Sequence, residues 1–109
     1  MNKLSIALAA LSTVVLAASG HAQDDPAAGY AIVSENCAGC HAIEVEGDSP
    51  DPDAPPFRTF KSKWPLEYLE EALAEGIVVG HEGMEMPEFV FEPVQISDII
   101  AYLDQVGGS

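Results

Sequence analysis

The stretch NCAGCH, Asn36 to His41, contains both cysteines of the 109-residue chain. Two thiols stand three residues apart, and an imidazole lies directly behind the second. What this cluster can do depends on the compartment in which the chain works, and the N-terminus speaks to that.

The chain opens MNKLSIALAALSTVVLAASGHAQ. Lys3 supplies a positive start. Leu4 to Ala18 is almost wholly apolar, long enough for a signal-peptide core and short for a membrane span. Gly20 and Ala22 are small residues placed for cleavage after Ala22. The pattern is that of a cleaved secretory signal over residues 1–22, leaving one small domain over 23–109 in the periplasm. The formal charge is −14, from 18 Asp and Glu against four Lys and Arg. Cleavage makes it one unit more negative, because residues 1–22 hold Lys3 and no acid. That sign excludes nucleic acid as a partner and disfavours anionic membrane surfaces.

In an oxidising compartment a Cys-x-x-Cys pair has three fates: a redox disulfide, half of a zinc site, or covalent attachment of haem. A thioredoxin-like motif follows a strand, whereas DDPAAGYAIVSEN before Cys37 reads as a helix, with Asp24 or Asp25 as N-cap and Pro26 in the first turn. A zinc site needs four ligands. Cys37, Cys40, His41 and His81 would have to supply them, and the adjacent Cys40 and His41 crowd one another. There remains the C-x-x-C-H pattern of haem c attachment. Two thiols add to the two vinyl groups on one edge of the porphyrin, and the next residue falls under the iron. Its other ring nitrogen then requires a hydrogen-bond acceptor.

Further signals lie downstream. Pro93 can open a helix in which Ile96, Ile99, Ile100, Leu103 and Val106 share a face, with Tyr102 beside it and Gly107-Gly108 as its end. That stripe reads as ordinary core. A middle helix starts near Pro65 and buries Leu66, Leu69 and Leu73. Residues 44–56, EVEGDSPDPDAPP, are acidic and proline-rich and read as a loop along the cofactor edge. His81, Met84 and Met86 are candidates for a second iron ligand. Met84 and Met86 are two apart, so in an extended segment they point to opposite sides.

The whole of residues 25–106 resembles a class I cytochrome c, the small monohaem kind of bacterial periplasms. Gly29, Val33 and Cys37 follow one another at four-residue steps on the first helix, and NCAGCH comes next. APPF, Ala54 to Phe57, looks like the proline-bearing loop beside the proximal histidine. WPLEYLEEALAEGI resembles the middle helix, MPEF at 86–89 the axial-methionine loop, and DIIAYL at 98–103 the C-terminal helix. The resemblance implies an all-α fold of small helices around one haem, with the terminal helices crossing at Gly29 and Tyr102 filling the notch. It implies covalent haem on Cys37 and Cys40, His41 as proximal ligand and Met86, which precedes proline, as distal ligand. Met84 is the second choice, because Glu85 between two methionines departs from the commoner loop.

A His/Met pair favours ferrous iron and, with both axial positions filled, suits electron transfer rather than catalysis. The expectation is a monomeric one-electron carrier that meets larger redox proteins through their basic patches, with acids drawn from Glu44, Glu46, Glu82, Glu85 and Glu88. The rival readings are a haem enzyme or gas sensor with an open or labile sixth position, and a haem-free thiol or zinc module. Trp64, Tyr68 and Arg58 are candidates for bonding the haem propionates, and the two aromatic residues read equally as packing.

Overall fold

A computed structural model of the protein describes residues 24–76, 80–81 and 84–108, with residues 80, 81, 84 and 85 described as backbone alone. The expected signal segment, Gln23 and Glu82 lie outside the described residues. Among the described residues four α-helices carry the fold: α1 (Pro26–Asn36), α2 (Phe60–Lys63), α3 (Leu66–Glu75) and α4 (Pro93–Val106). A 3-10 turn, Phe57–Thr59, leads into α2. Gly80–His81 (β1) pairs antiparallel with Met84–Glu85 (β2), His81 opposite Met84. The architecture is all-α, and this short ribbon does not alter it. Among the described residues no helix is long and apolar enough to cross a membrane.

Local chemistry sets the helix ends. Asp25 caps α1, its side chain accepting from the N–H groups of Ala27 and Ala28, and Pro26 occupies a position where a missing N–H costs nothing. Pro93 plays the same part in α4, where the Glu92 N–H donates to Gln95 Oε1 at 2.8 Å. α3 stops at Gly76, whose φ of 82° is the left-handed conformation that glycine adopts without penalty.

α1 and α4 cross at Gly29, which is buried. A Cβ there would stand 1.9 Å from the Asp98 carbonyl oxygen and 3.0 Å from Tyr102 Cβ. Only glycine permits that approach. The crossing is stitched by Asp98, buried on α4, whose Oδ1 accepts the Asp25 N–H at 2.8 Å. Around it Val33, Ile43, Phe57, Ile99, Tyr102, Leu103 and Val106 form one buried cluster. The stripe expected on α4 is there, with Tyr102 inside the core rather than beside it and Ile100 at its margin. Leu66, Leu69 and Leu73 of α3 pack against the cluster while staying partly exposed. Residues 44–56 hold no helix or strand, in line with the expected loop.

Candidate functional site

α1 ends at Cys37, whose N–H still bonds the Val33 carbonyl at 2.8 Å. The chain then curls, with the Cys40 and His41 N–H groups both donating to the Cys37 carbonyl at 3.2 and 3.0 Å. A helical turn of this kind sets residues three and four apart on one side, so Cys37, Cys40 and His41 open onto a common space. That space is a cavity of about 460 Å³, within the range of cofactor sites. Its lining is mostly apolar and comes from α1, the 37–41 turn, residues 54–60, α3, residues 86–91 and α4.

His41 is buried, and its Nδ1 lies 2.7 Å from the Pro55 carbonyl oxygen. A carbonyl only accepts, so Nδ1 carries the proton and donates. This fixes the tautomer and assigns Nε2 to any metal the ring binds. The imidazole is wedged among rings, with Phe57 at 4.9 Å and Phe60 at 5.8 Å between centroids. Residues 54–57 reach this position because the Phe57 N–H bonds the Ala42 carbonyl at 2.9 Å and the Asp51 N–H bonds that of Cys40 at 3.0 Å.

The two thiols differ. Cys37 is half-buried and Cys40 exposed. Burial pushes the Cys37 thiol up to about 11. Among the described residues no three His, Cys, Asp or Glu side chains gather as a metal-ligand set.

Met86 lines the same cavity from the segment between β2 and α4. Met86, distant in sequence, is thus brought to the same cavity as Cys37, Cys40 and His41. The side chains of Met84 and His81 lie outside the described residues. Trp64 and Tyr68 line the cavity while remaining 40% and 66% exposed, which makes them its rim. Arg58 is not brought there. Its guanidinium reaches the Glu44 carbonyl at 3.4 Å, and it does not line the cavity. Sequence reasoning missed the aromatic wall. Phe57, Phe60, Phe89 and Phe91 all line the cavity, and the last two stack on each other at 5.5 Å. Phe57 had a signal within APPF and Phe89 within MPEF.

The residues fit a flat, largely apolar cofactor held by two sulfurs and an imidazole. In comparison with known proteins, the family model described as Cytochrome c matches residues 26–107. Neither the curated proteins nor the solved structures gave a match.

Proposed function

The chain belongs to the cytochrome c family, which carries covalently bound haem c in electron transfer, and from that premise we propose that it is a periplasmic one-electron carrier with His41 and Met86 as axial ligands. Residues 1–22 act as the export signal. Supporting the reading is one observation above the rest: Cys37, Cys40, His41 and Met86 line a single apolar cavity in which Pro55 has already oriented the imidazole.

Each residue has a part in it. Cys37 and Cys40 hold the porphyrin edge through thioethers. His41 offers Nε2, and the Pro55 carbonyl, accepting from Nδ1, raises its basicity. The Met86 thioether favours the ferrous state. Phe57, Phe60, Phe89 and Phe91 keep water out, which favours the less charged iron as well. Bound there, haem c supplies an iron that gains and loses one electron. If His41 and Met86 both held that iron, it would have no room to bind oxygen or substrate.

The partner is a larger redox protein with a basic docking patch, met by a monomer of this chain. Of the acids Glu44, Glu46, Glu82, Glu85 and Glu88 proposed to face that partner, Glu44 also has a contact within the fold. The Glu44 carboxylate accepts from the Tyr30 hydroxyl at 2.5 Å, so it serves the fold before it serves a partner.

The decisive experiment is the protein made with its haem-attachment machinery. Denaturing electrophoresis should show haem retained by the wild type and lost from the Cys37→Ala, Cys40→Ala double variant. His41→Ala should lose the low-spin spectrum. Haem retained by the double variant would overturn the attachment assignment. Fast, tight binding of carbon monoxide by the ferrous protein at neutral pH would overturn the filled sixth position.

A further inference from the structure

Two tyrosines reach from the crossing helices to the residues that follow His41. Tyr102 on α4 is buried, and its hydroxyl donates to the Ile43 carbonyl at 2.5 Å. Tyr30 on α1 donates to Glu44 Oε2, also at 2.5 Å. The rings meet edge to face, their centroids 5.3 Å apart. Burial holds the Tyr102 phenol above its ordinary range, and the bond to Glu44 is the first cause of the same shift at Tyr30. Both hydroxyls therefore keep their protons in neutral solution and remain donors.

The segment they grip, 41–44, is held from its other side by the loop that carries Pro55. The Ala42 carbonyl accepts the Phe57 N–H at 2.9 Å, and the Ala42 N–H donates to Ser49 Oγ at 2.9 Å. The His41 ring and its acceptor thus sit on two facing stretches of chain. The distance between those stretches sets the Nδ1–H···O bond, and only one of them is anchored by phenols to α1 and α4.

We propose that Tyr30 and Tyr102 form a clamp that sets the His41–Pro55 hydrogen bond and thereby tunes the reduction potential of the iron. Neither tyrosine lines the cavity, so both are positioning residues that act through the 41–44 backbone. The inference rests on His41 being an iron ligand. A tight Nδ1–H···O bond makes the imidazole a stronger donor and stabilises ferric iron. Slackening it should raise the potential.

The test uses the haem-loaded protein and the variants Tyr102→Phe, Tyr30→Phe and the double variant. Each keeps its ring and loses only the hydroxyl. Ile100→Val, at the margin of the core on α4, serves as a control for lowered stability. NMR follows the exchange of the His41 Nδ1 proton, and voltammetry follows the potential. Loss of one hydrogen bond should speed exchange by roughly three- to tenfold in Tyr102→Phe, less in the half-exposed Tyr30→Phe, and most in the double variant. The potential should rise in the same order. Wild-type exchange and potential in all three variants would overturn the clamp. So would equal changes in Ile100→Val, which would make the effect one of global stability. A wild-type spectrum without an iron-shifted His41 ring would instead overturn the ligand reading on which the clamp rests.

Discussion

His41 has its tautomer settled by a neighbour that cannot donate, and the rest of the site is built outward from that bond. The need for such an acceptor was legible in the chemistry of C-x-x-C-H, and the stretch APPF pointed to its location. Half of the aromatic wall was not legible, because Phe60 and Phe91 bear no fixed spacing to the motif and meet it only through the tertiary fold. Arg58 illustrates the opposite failure: a scarce cation suggested a cofactor contact, and the nearest backbone carbonyl took it instead. The distal position is the residue-scale question that remains open to test. A ferric His/Met site has a weak near-infrared band from sulfur to iron. Met86→Ala should abolish that band and lower the potential, while Met84→Ala should leave the band in place. The reverse pattern would transfer the role to Met84.

The helices were legible where local rules begin or end them. Pro26, Asp25, Pro93 and Gly107 each mark a terminus by a mechanism confined to a few residues. The short pieces at 57–63 escaped, since Thr59 stands at the N-cap of α2 without a side-chain cap bond and the turn is imposed by contacts to Ala42 and α4. Gly29 gives the element-scale prediction. With the Asp98 carbonyl only 1.9 Å from where a Cβ would stand, Gly29→Ala must push α1 off α4. Overpacking of this kind costs about 1–3 kcal/mol, occasionally more. A domain of this size loses about 4–8 °C in Tm for each kcal/mol, which differential scanning calorimetry on the haem-loaded protein can read. Lys61 supplies the contrast. It bonds Asp104 Oδ1 at 2.8 Å and the Gly108 carbonyl at 2.7 Å, closing the end of α4 over α2. The pair is largely solvated, so Lys61→Gln should cost no more than about 1 kcal/mol. A loss from Lys61→Gln as large as that from Gly29→Ala would mean that the α2–α4 contact holds the fold as strongly as the α1–α4 crossing does.

Charge belongs to the molecule as a whole. The three cations beyond residue 22, Arg58, Lys61 and Lys63, fall within six residues around α2, and contacts occupy each: Arg58 the Glu44 carbonyl, Lys61 the end of α4, and Lys63 the Trp64 ring at 5.8 Å. Elsewhere the surface is anionic. On α3, Glu67, Glu71 and Glu75 are exposed and recur every four residues, making a ridge next to Tyr68 at the cavity rim. Electron-transfer contacts are small, below roughly 1,200 Å² in total, so long-range attraction governs their rates more than area does. Reduction by a basic partner should slow steeply as salt is raised, since the Debye length falls from about 10 Å at 0.1 M to about 3 Å at 1 M. Replacing Glu67, Glu71 and Glu75 together by Gln should lower the stopped-flow association rate at low salt and flatten its salt dependence. A rate indifferent to ionic strength would reduce the acids to a solvated coat.

The bond from the Asp25 N–H to Asp98 also sets an order of events in time. Its partners are 73 residues apart, and the helix that ends at the cysteine pair has its docking surface on α4, which is synthesised long after it. Closing so long a loop precedes any gain from the contact. Until α4 emerges, α1 has nothing to cross, and Cys37, half-buried in the finished fold, stays as open to reagents as Cys40. The chain's topology therefore creates an interval, ended by the arrival of α4, in which both sulfurs are accessible to modification before folding encloses one of them.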